Sequence, residues 1–225
     1  MVQNKIKLKV QTQTPLTEER RERVIQWNRI LRGLFLIAIA PLMEDAQSED
    51  ETAAQKFNEL NPDAQRHIIQ RGPHSESTVL DLPDNRQQLQ YQITALHPRG
   101  CIFALNRISH YERYQEWLDV VTESKYDMAN KDLYTEVSIP FPPIKTRANV
   151  KIPLMSEEGS YQFIIQGSRF DGLTGIIMVE EVGERCLFHM ESSWEGEHSQ
   201  INSAILGFAS RILGVVVMET LFSME

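Results

Sequence analysis

The chain has 225 residues, 41% of them hydrophobic and 24% charged, with a formal net charge of −8 at pH 7. That length holds one generous domain with its own core, or one domain and an appendage. The acidic balance excludes a general nucleic-acid binder, which carries a basic face, and two cysteines, Cys101 and Cys186, do not make a disulfide framework. Both sit in apolar patterns, so we expect two buried thiols.

Residues 1 to 13 are polar and alternating. Thr14 and Pro15 then open a helix: a hydroxyl cap followed by a ring that needs no donor. Glu18 and Glu19 suit the first turn, where the helix dipole favours acids. The helix is expected to run to about Ala40, where Pro41 stops it. Its end, Gly33 to Met43, is wholly apolar and follows a run of arginines. A basic run, an apolar run and the Ala38–Ala40 spacing also fit an export leader, although the basic part is long and Pro41 is a poor cleavage neighbour. The acidic stretch Glu44 to Glu51 reads as a linker. A second helix is expected over about Glu51 to Leu60, and a third from Pro62 to about Gln70.

Period two begins at "QLQYQIT", where Leu89, Tyr91 and Ile93 alternate with glutamines. Pro98 opens a short helix through Cys101, Ile102 and Leu105. Strands follow around Val121 to Tyr126, Leu133 to Ile139 and Thr146 to Ile152, then in "SYQFIIQG", "GLTGIIMVEE" and "RCLFHMESSW". Their short connections suit antiparallel neighbours. One long helix, about Ser199 to Ser223, closes the chain. Ile201, Ile205, Phe208, Ile212, Val215, Val216 and Phe222 form an apolar stripe along it, and Gly207, Ser210 and Gly214 a notch of small residues beside it. The notch fits close packing on a sheet, or room for a ligand.

A strand, a helical excursion, a run of antiparallel strands and a long C-terminal helix resemble the helix-grip fold of the START and birch-pollen-allergen superfamily, which includes polyketide cyclases and coenzyme-Q-binding proteins. "QYQITALHPRGCIFALNRISHYERYQEWLDVV" is similar to that family's first strand, Pro-started helix and aromatic "YxxYPxW" segment, with His110 and Gln115 departing from it. "IPFPPIKTRANV" is similar to its proline-marked strand turn. The resemblance covers residues 75 to 225 and leaves residues 1 to 74 as an N-terminal helical extension. It implies an α+β fold in which a curved antiparallel sheet wraps a long C-terminal helix, with Tyr114 and Trp117 anchoring a plug and Tyr111 at the entrance.

Catalytic motifs are absent: there is no phosphate loop, H-E-x-x-H, C-x-x-C or G-x-S-x-G. His189 and Glu191 fall on the polar side of a strand and read as a solvated face rather than metal ligands. No catalytic residue, metal or cofactor is assigned. Alternation points Val137, Ile139, Val150, Phe163, Ile165, Ile176, Met178, Phe188 and Met190 at Ile205, Phe208 and Ile212 of the last helix. With Tyr111 at the mouth, these are expected to line an apolar pocket of about 300–1,000 Å³. The reading is a carrier of a lipid or other hydrophobic small molecule, with no nucleic-acid partner. The alternatives are a cyclase- or dehydratase-type enzyme using the same cavity, and a docking module with the cavity closed. The N-terminal segment is expected to dock on its own domain or on a second copy, with a membrane surface as the alternative. The expected location is the cytoplasm, with export as the alternative if residues 1 to 40 are a leader.

Overall fold

The computed structural model describes residues 51–139, 144–199 and 201–223, with the side chains of Ile139 and Ile144 excepted. The expected helix from Pro15 to Ala40, the acidic linker and the proline-marked strand turn lie outside them. Helix α1 (Ala53–Glu59) opens on a capping box: Thr52 accepts from the Gln55 amide, and the Gln55 side chain accepts from the Thr52 amide. Helix α2 (Pro62–Gln70) starts on Asn61, whose side chain accepts from the amides of Asp63 and Ala64. Both helices bury small or apolar faces, through Ala53 in α1 and Ala64 and Ile68 in α2. They belong to the same compact unit as the sheet. The expected boundary near residue 75 therefore falls inside a packed body.

Eight antiparallel strands follow: β1 (His74–Leu82), β2 (Arg86–His97), β3 (Val121–Asp127), β4 (Asp132–Ile139), β5 (Ile144–Lys151), β6 (Gly159–Gln166), β7 (Thr174–Val182) and β8 (Arg185–Glu197). Their order is β1-β2-β8-β7-β6-β5-β4-β3. The β1–β2 turn places Asp84 and Asn85 at φ 59° and 57°, a region that short polar side chains tolerate. β1 has no counterpart in the sequence reading, which takes its first residues as a turn. Its inward residues, Ser75, Ser77 and Val79, are mostly small and polar, so no apolar alternation marks it. β2 pairs with β8 along twelve residues, from Arg86↔Glu197 to His97↔Cys186, and this is the spine of the sheet.

The 21-residue helix α5 (Ser203–Ser223) lies on the inner face of the sheet, against β1 and β2. Its approach is fixed by Gln87, which is fully buried. The Gln87 amide nitrogen lies 2.9 Å from the Ser203 hydroxyl and 3.2 Å from the Ile201 carbonyl. Its oxygen accepts from the Ser199 hydroxyl at 2.6 Å. One amide thus satisfies the backbone and hydroxyls of the β8–α5 connection, which could not be buried unpaired.

Between β2 and β3 the chain forms a plug: α3 (Cys101–Ile108), a 3₁₀ turn (Tyr111–Arg113) and α4 (Tyr114–Trp117). Ala104, Leu105 and Ile108 enter the main core with Leu133, Ile152, Met155, Val179 and Phe188. Cys101 and Cys186 are joined in a disulfide that ties the start of α3 to β8. The expectation of two thiols is corrected. Burial was read properly, but His97↔Cys186 pairing brings the end of β2, and the helix just after it, onto β8. That proximity is tertiary and invisible in the spacing of two cysteines 85 residues apart.

A cross-link over a loop of this size stabilises by about 4 kcal/mol in the chain-entropy account. Cys101→Ala/Cys186→Ala should therefore lose about 4 kcal/mol in denaturant unfolding, with a steeper transition because the uncrosslinked unfolded chain is more expanded. A loss under about 1 kcal/mol would show that the plug is held by packing alone.

Candidate functional site

The inner face of the sheet separates into two regions. Over β1 and β2 the helix is in direct contact. A side-chain carbon added at Gly207 would lie 3.5 Å from Val79, an ordinary contact. One added at Gly214 would lie 1.7 Å from the Tyr91 hydroxyl, which no structure allows. Ser210 donates to Ser77 across the same interface at 3.0 Å. The small-residue notch is therefore a close-packing device. Burial pushes the Tyr91 phenol up to about 12, opposed by the Ser75 hydroxyl.

The consequence for the helix is a rotation from the expected phase. Leu206, Gly207 and Leu221 are buried, whereas Ile205, Phe208, Ile212 and Val216 are 47%, 55%, 47% and 48% exposed. Ile205, Phe208 and Ile212 are thus corrected as pocket residues: they face away from the sheet. α5 has apolar residues on every side, interrupted by Arg211 and Glu219, and is long and apolar enough to cross a bilayer by length and composition. Hydrophobicity alone could not choose its buried side. The close approach at Gly214 does.

Towards its C-terminal end α5 crosses to the plug. Val217 and Phe222 meet the cluster of Leu118, Val121 and Leu221. Phe222 also meets His97 and Phe188, with ring centroids at 5.0 and 5.4 Å. Burial lowers the pKa of His97, whose Nδ1 accepts from the Arg99 amide at 3.1 Å, so the imidazole is neutral in this apolar corner.

Between these contacts lies the second region, the inner rows of β4 to β8. Val150, Phe163 and Ile177 are half-buried against the main core, and Ile165 against Leu89 and Trp194. Met190 pairs with Ile93 and Ile177 and shares their face. Val137 alternates with buried Leu133. The structure thus brings Val137, Val150, Phe163 and Met190 to one apolar surface, with Phe188 buried at its plug end. Ile165 joins them. Ile139 ends β4, but its side chain lies outside the described residues.

Two expected positions are on the wrong face. Met178 and Ile176 lie on the outer face, where Met178 packs with Ala53 and Leu187 beneath α1. The stretch "GLTGIIMVEE" has apolar residues on both parities, because both faces of β7 are covered; alternation cannot choose between them. Tyr111 is also corrected from entrance to anchor. It is 1% exposed, donates to the Pro153 carbonyl at 3.0 Å, and stacks edge-on to Tyr114 and Tyr126. Tyr114 donates to the Ile108 carbonyl at 2.7 Å, and burial holds its phenol far above the usual range. Trp117 lies beneath Arg113, whose guanidinium is 4.7 Å from the ring.

A cavity of about 1,080 Å³ flanks the plug, between α3, the β3–β4 turn and residues 154–156. Ile102, Phe103, Tyr126, Met128 and Leu154 line it, and Ile102 and Met128 are largely exposed. It is the apolar opening beside the plug that sequence reasoning missed. Ile102 belongs to a helix read only for its buried side, and Met128 to a turn. A second cavity, of about 890 Å³, crosses the outer face between two rows of side chains. One row is Glu76, Gln92, Glu191, Ile176 and Gln162; the other includes Thr78, Gln90, Ser193 and Thr174. It is polar and unlike the expected pocket.

His189 is on the outer face as expected, but it is not solvated. It is 1% exposed beneath α1, between Thr94 and Glu191. His198 lies 3.3 Å from Asp81 and does not join His189 and Glu191.

No family model matches the sequence, and no curated protein does. Solved structures do match in shape. A conserved protein from Geobacillus kaustophilus aligns with a TM-score of 0.50 at 9% identity, over 59% of this chain and 91% of its own. A START superfamily protein from Mycobacterium smegmatis aligns at 0.42 and 9%, over 66% and 97%. A STAR-related lipid transfer protein from Xanthomonas axonopodis aligns at 0.45 and 8%, over 66% and 97%. At these identities the likeness is one of fold. With the curved antiparallel sheet, the plug and the long C-terminal helix, the chain has the α+β helix-grip fold.

The two glycines of α5 make opposite predictions. Gly214→Ala should destabilise by about 1–3 kcal/mol, the usual result of overpacking. Gly207→Ala should be neutral or stabilising by up to about 1 kcal/mol, since the space exists and alanine favours a helix. Thermal unfolding of the two variants checks this; equal effects would contradict the packing described.

Proposed function

We propose that the protein binds and carries a hydrophobic small molecule of the lipid class, held between the inner face of β4–β8 and α5. The observation that carries this reading is the half-buried apolar surface of Val137, Val150, Phe163, Ile165, Ile177 and Met190. The helix packs closely on β1 and β2 and at the plug, and leaves these rows without that close contact. Burying such side chains against a ligand is favourable by about 25 cal/mol per Å² of apolar area removed from water. The names of the neighbouring lipid transfer and START proteins agree with this reading, but it rests on the surface itself.

The test is native mass spectrometry of the purified protein, then solvent extraction. We expect an apolar adduct that extraction releases. Met190→Trp, which fills the surface, should weaken uptake of a fluorescent fatty acid at least about tenfold, on the scale of one or two kcal/mol. A bare mass together with no uptake by the unaltered protein would overturn the reading.

The exposed stripe of Ile205, Phe208, Ile212 and Val216 favours a second reading, contact with a lipid surface. A continuous apolar stripe on a solvent-facing helix marks a docking surface. Vesicle flotation should then retain the protein, and Phe208→Glu should release it without changing its stability. Flotation that is unaffected by the substitution would count against the stripe.

The disulfide bears on location. Such bonds persist in oxidising compartments, so Cys101–Cys186 favours export over the cytoplasm, in agreement with the leader-like features of residues 20 to 43.

A further inference from the structure

We infer that α1 is a latch over the buried imidazole of His189, closed at neutral pH and released on mild acidification. The inference is independent of ligand binding. His189 Nδ1 lies 2.7 Å from the Thr94 hydroxyl, and Nε2 lies 3.1 Å from the Glu191 carboxylate. A carboxylate only accepts, so Nε2 carries the proton and Nδ1 accepts from Thr94. The arrangement suits a neutral ring. A second proton on Nδ1 would face the Thr94 oxygen and require that buried hydroxyl to turn away.

The charged groups around the ring come from three elements. Glu191 on β8 favours the imidazolium, as does Glu59 on α1; Lys56 on α1 opposes it. Lys56 lies 3.3 Å from Glu191 and 2.9 Å from Glu51, so the nearest carboxylate is already shared. Glu180 on β7 is engaged by the Ala54 amide at 2.9 Å. Burial outweighs the rest and lowers the pKa of His189 below its ordinary 6.5.

The sign follows from linkage. With α1 seated, the ring resists protonation; with α1 lifted, water reaches it and its ordinary pKa returns. Below about pH 6.5 the lifted state takes up the proton and gains population. The roof is also the least costly part to move. α1 has seven residues, too few to be stable alone. It is held by Ala53 and Phe57 on Met178, Leu187 and Leu96, by the Ala54–Glu180 hydrogen bond, and by Lys56. Release would uncover the Met178–Leu187 patch on the outer face.

The experiment is amide hydrogen exchange of the full chain at pH 7.5 and 5.5, with rates corrected for the intrinsic effect of pH. Protection of residues 53–59 should fall on acidification, by about tenfold at most, the limit for one histidine one unit below its free pKa. Amides of β2 and β8 should be unchanged. His189→Gln can donate to Glu191 and accept from Thr94 without titrating, and should keep protection equal at both pH values. If that variant does not fold, Glu191→Gln serves. Removing the carboxylate that favours the imidazolium should make the loss on acidification larger than in the unaltered protein. Equal protection of residues 53–59 at both pH values in the unaltered protein would overturn the latch. So would an acid-dependent loss that persists in His189→Gln.

Discussion

The contact between Gly214 of α5 and the ring of Tyr91 on β2 sets the geometry on which the interior depends. Only a glycine lets the helix backbone come that near, and its cost in helix propensity, about 1 kcal/mol, is the sign that something displaces it from ordinary choice. Once the small side of α5 faces β1 and β2, the remaining orientation follows. Leu206 and Leu221 turn inward, Ile205, Phe208, Ile212 and Val216 turn outward, and the C-terminal end meets the plug at Phe222. The inner rows of β4 to β8 lie between that contact and the plug, in the cluster that Met218 and Phe222 of the helix also join.

Much of this was legible in the residues. Apolar patterning between turn residues marked seven of the eight strands, and Asn61, Pro62 and Pro98 marked two of the helix starts. The antiparallel order follows from the shortness of the connections. The expected positions that share the inner face, Val137, Val150, Phe163, Phe188 and Met190, lie on strands where alternation is easier to read. Where both parities are apolar, as at Ile176, Ile177 and Met178, the choice depends on what covers each face. Here α1 covers the outer one. On α5 the choice depended on contact distance, which a hydrophobic stripe does not encode. β1 has no apolar alternation because two of its three inward positions, Ser75 and Ser77, are serines that accommodate the close helix.

The two faces of the sheet divide the work. The inner face is apolar at its centre and bordered at one end by two tyrosines of the plug and one of β3, each satisfied by a carbonyl: Tyr111 by Pro153, Tyr114 by Ile108, Tyr126 by Ile152. The disulfide fixes the start of that plug to the central strand β8. The outer face carries most of the ionisable groups, and beneath α1 it encloses His189, whose pKa burial lowers. Apart from His97 at the plug end of the inner face, an apolar surface and a titratable one lie on opposite sides of a single layer. β8 supplies both, with Phe188 and Met190 inward and His189 and Glu191 outward.

The central claim is that the inner rows of β4 to β8 border an apolar space rather than a filled core. Xenon bound to crystals under pressure tests it most directly, because apolar cavities take up the gas without polar partners. The account predicts a xenon site, or density for a retained apolar molecule, within contact of Phe163, Ile177 and Met190. Those three side chains packed directly against α5, with no xenon between them, would contradict it.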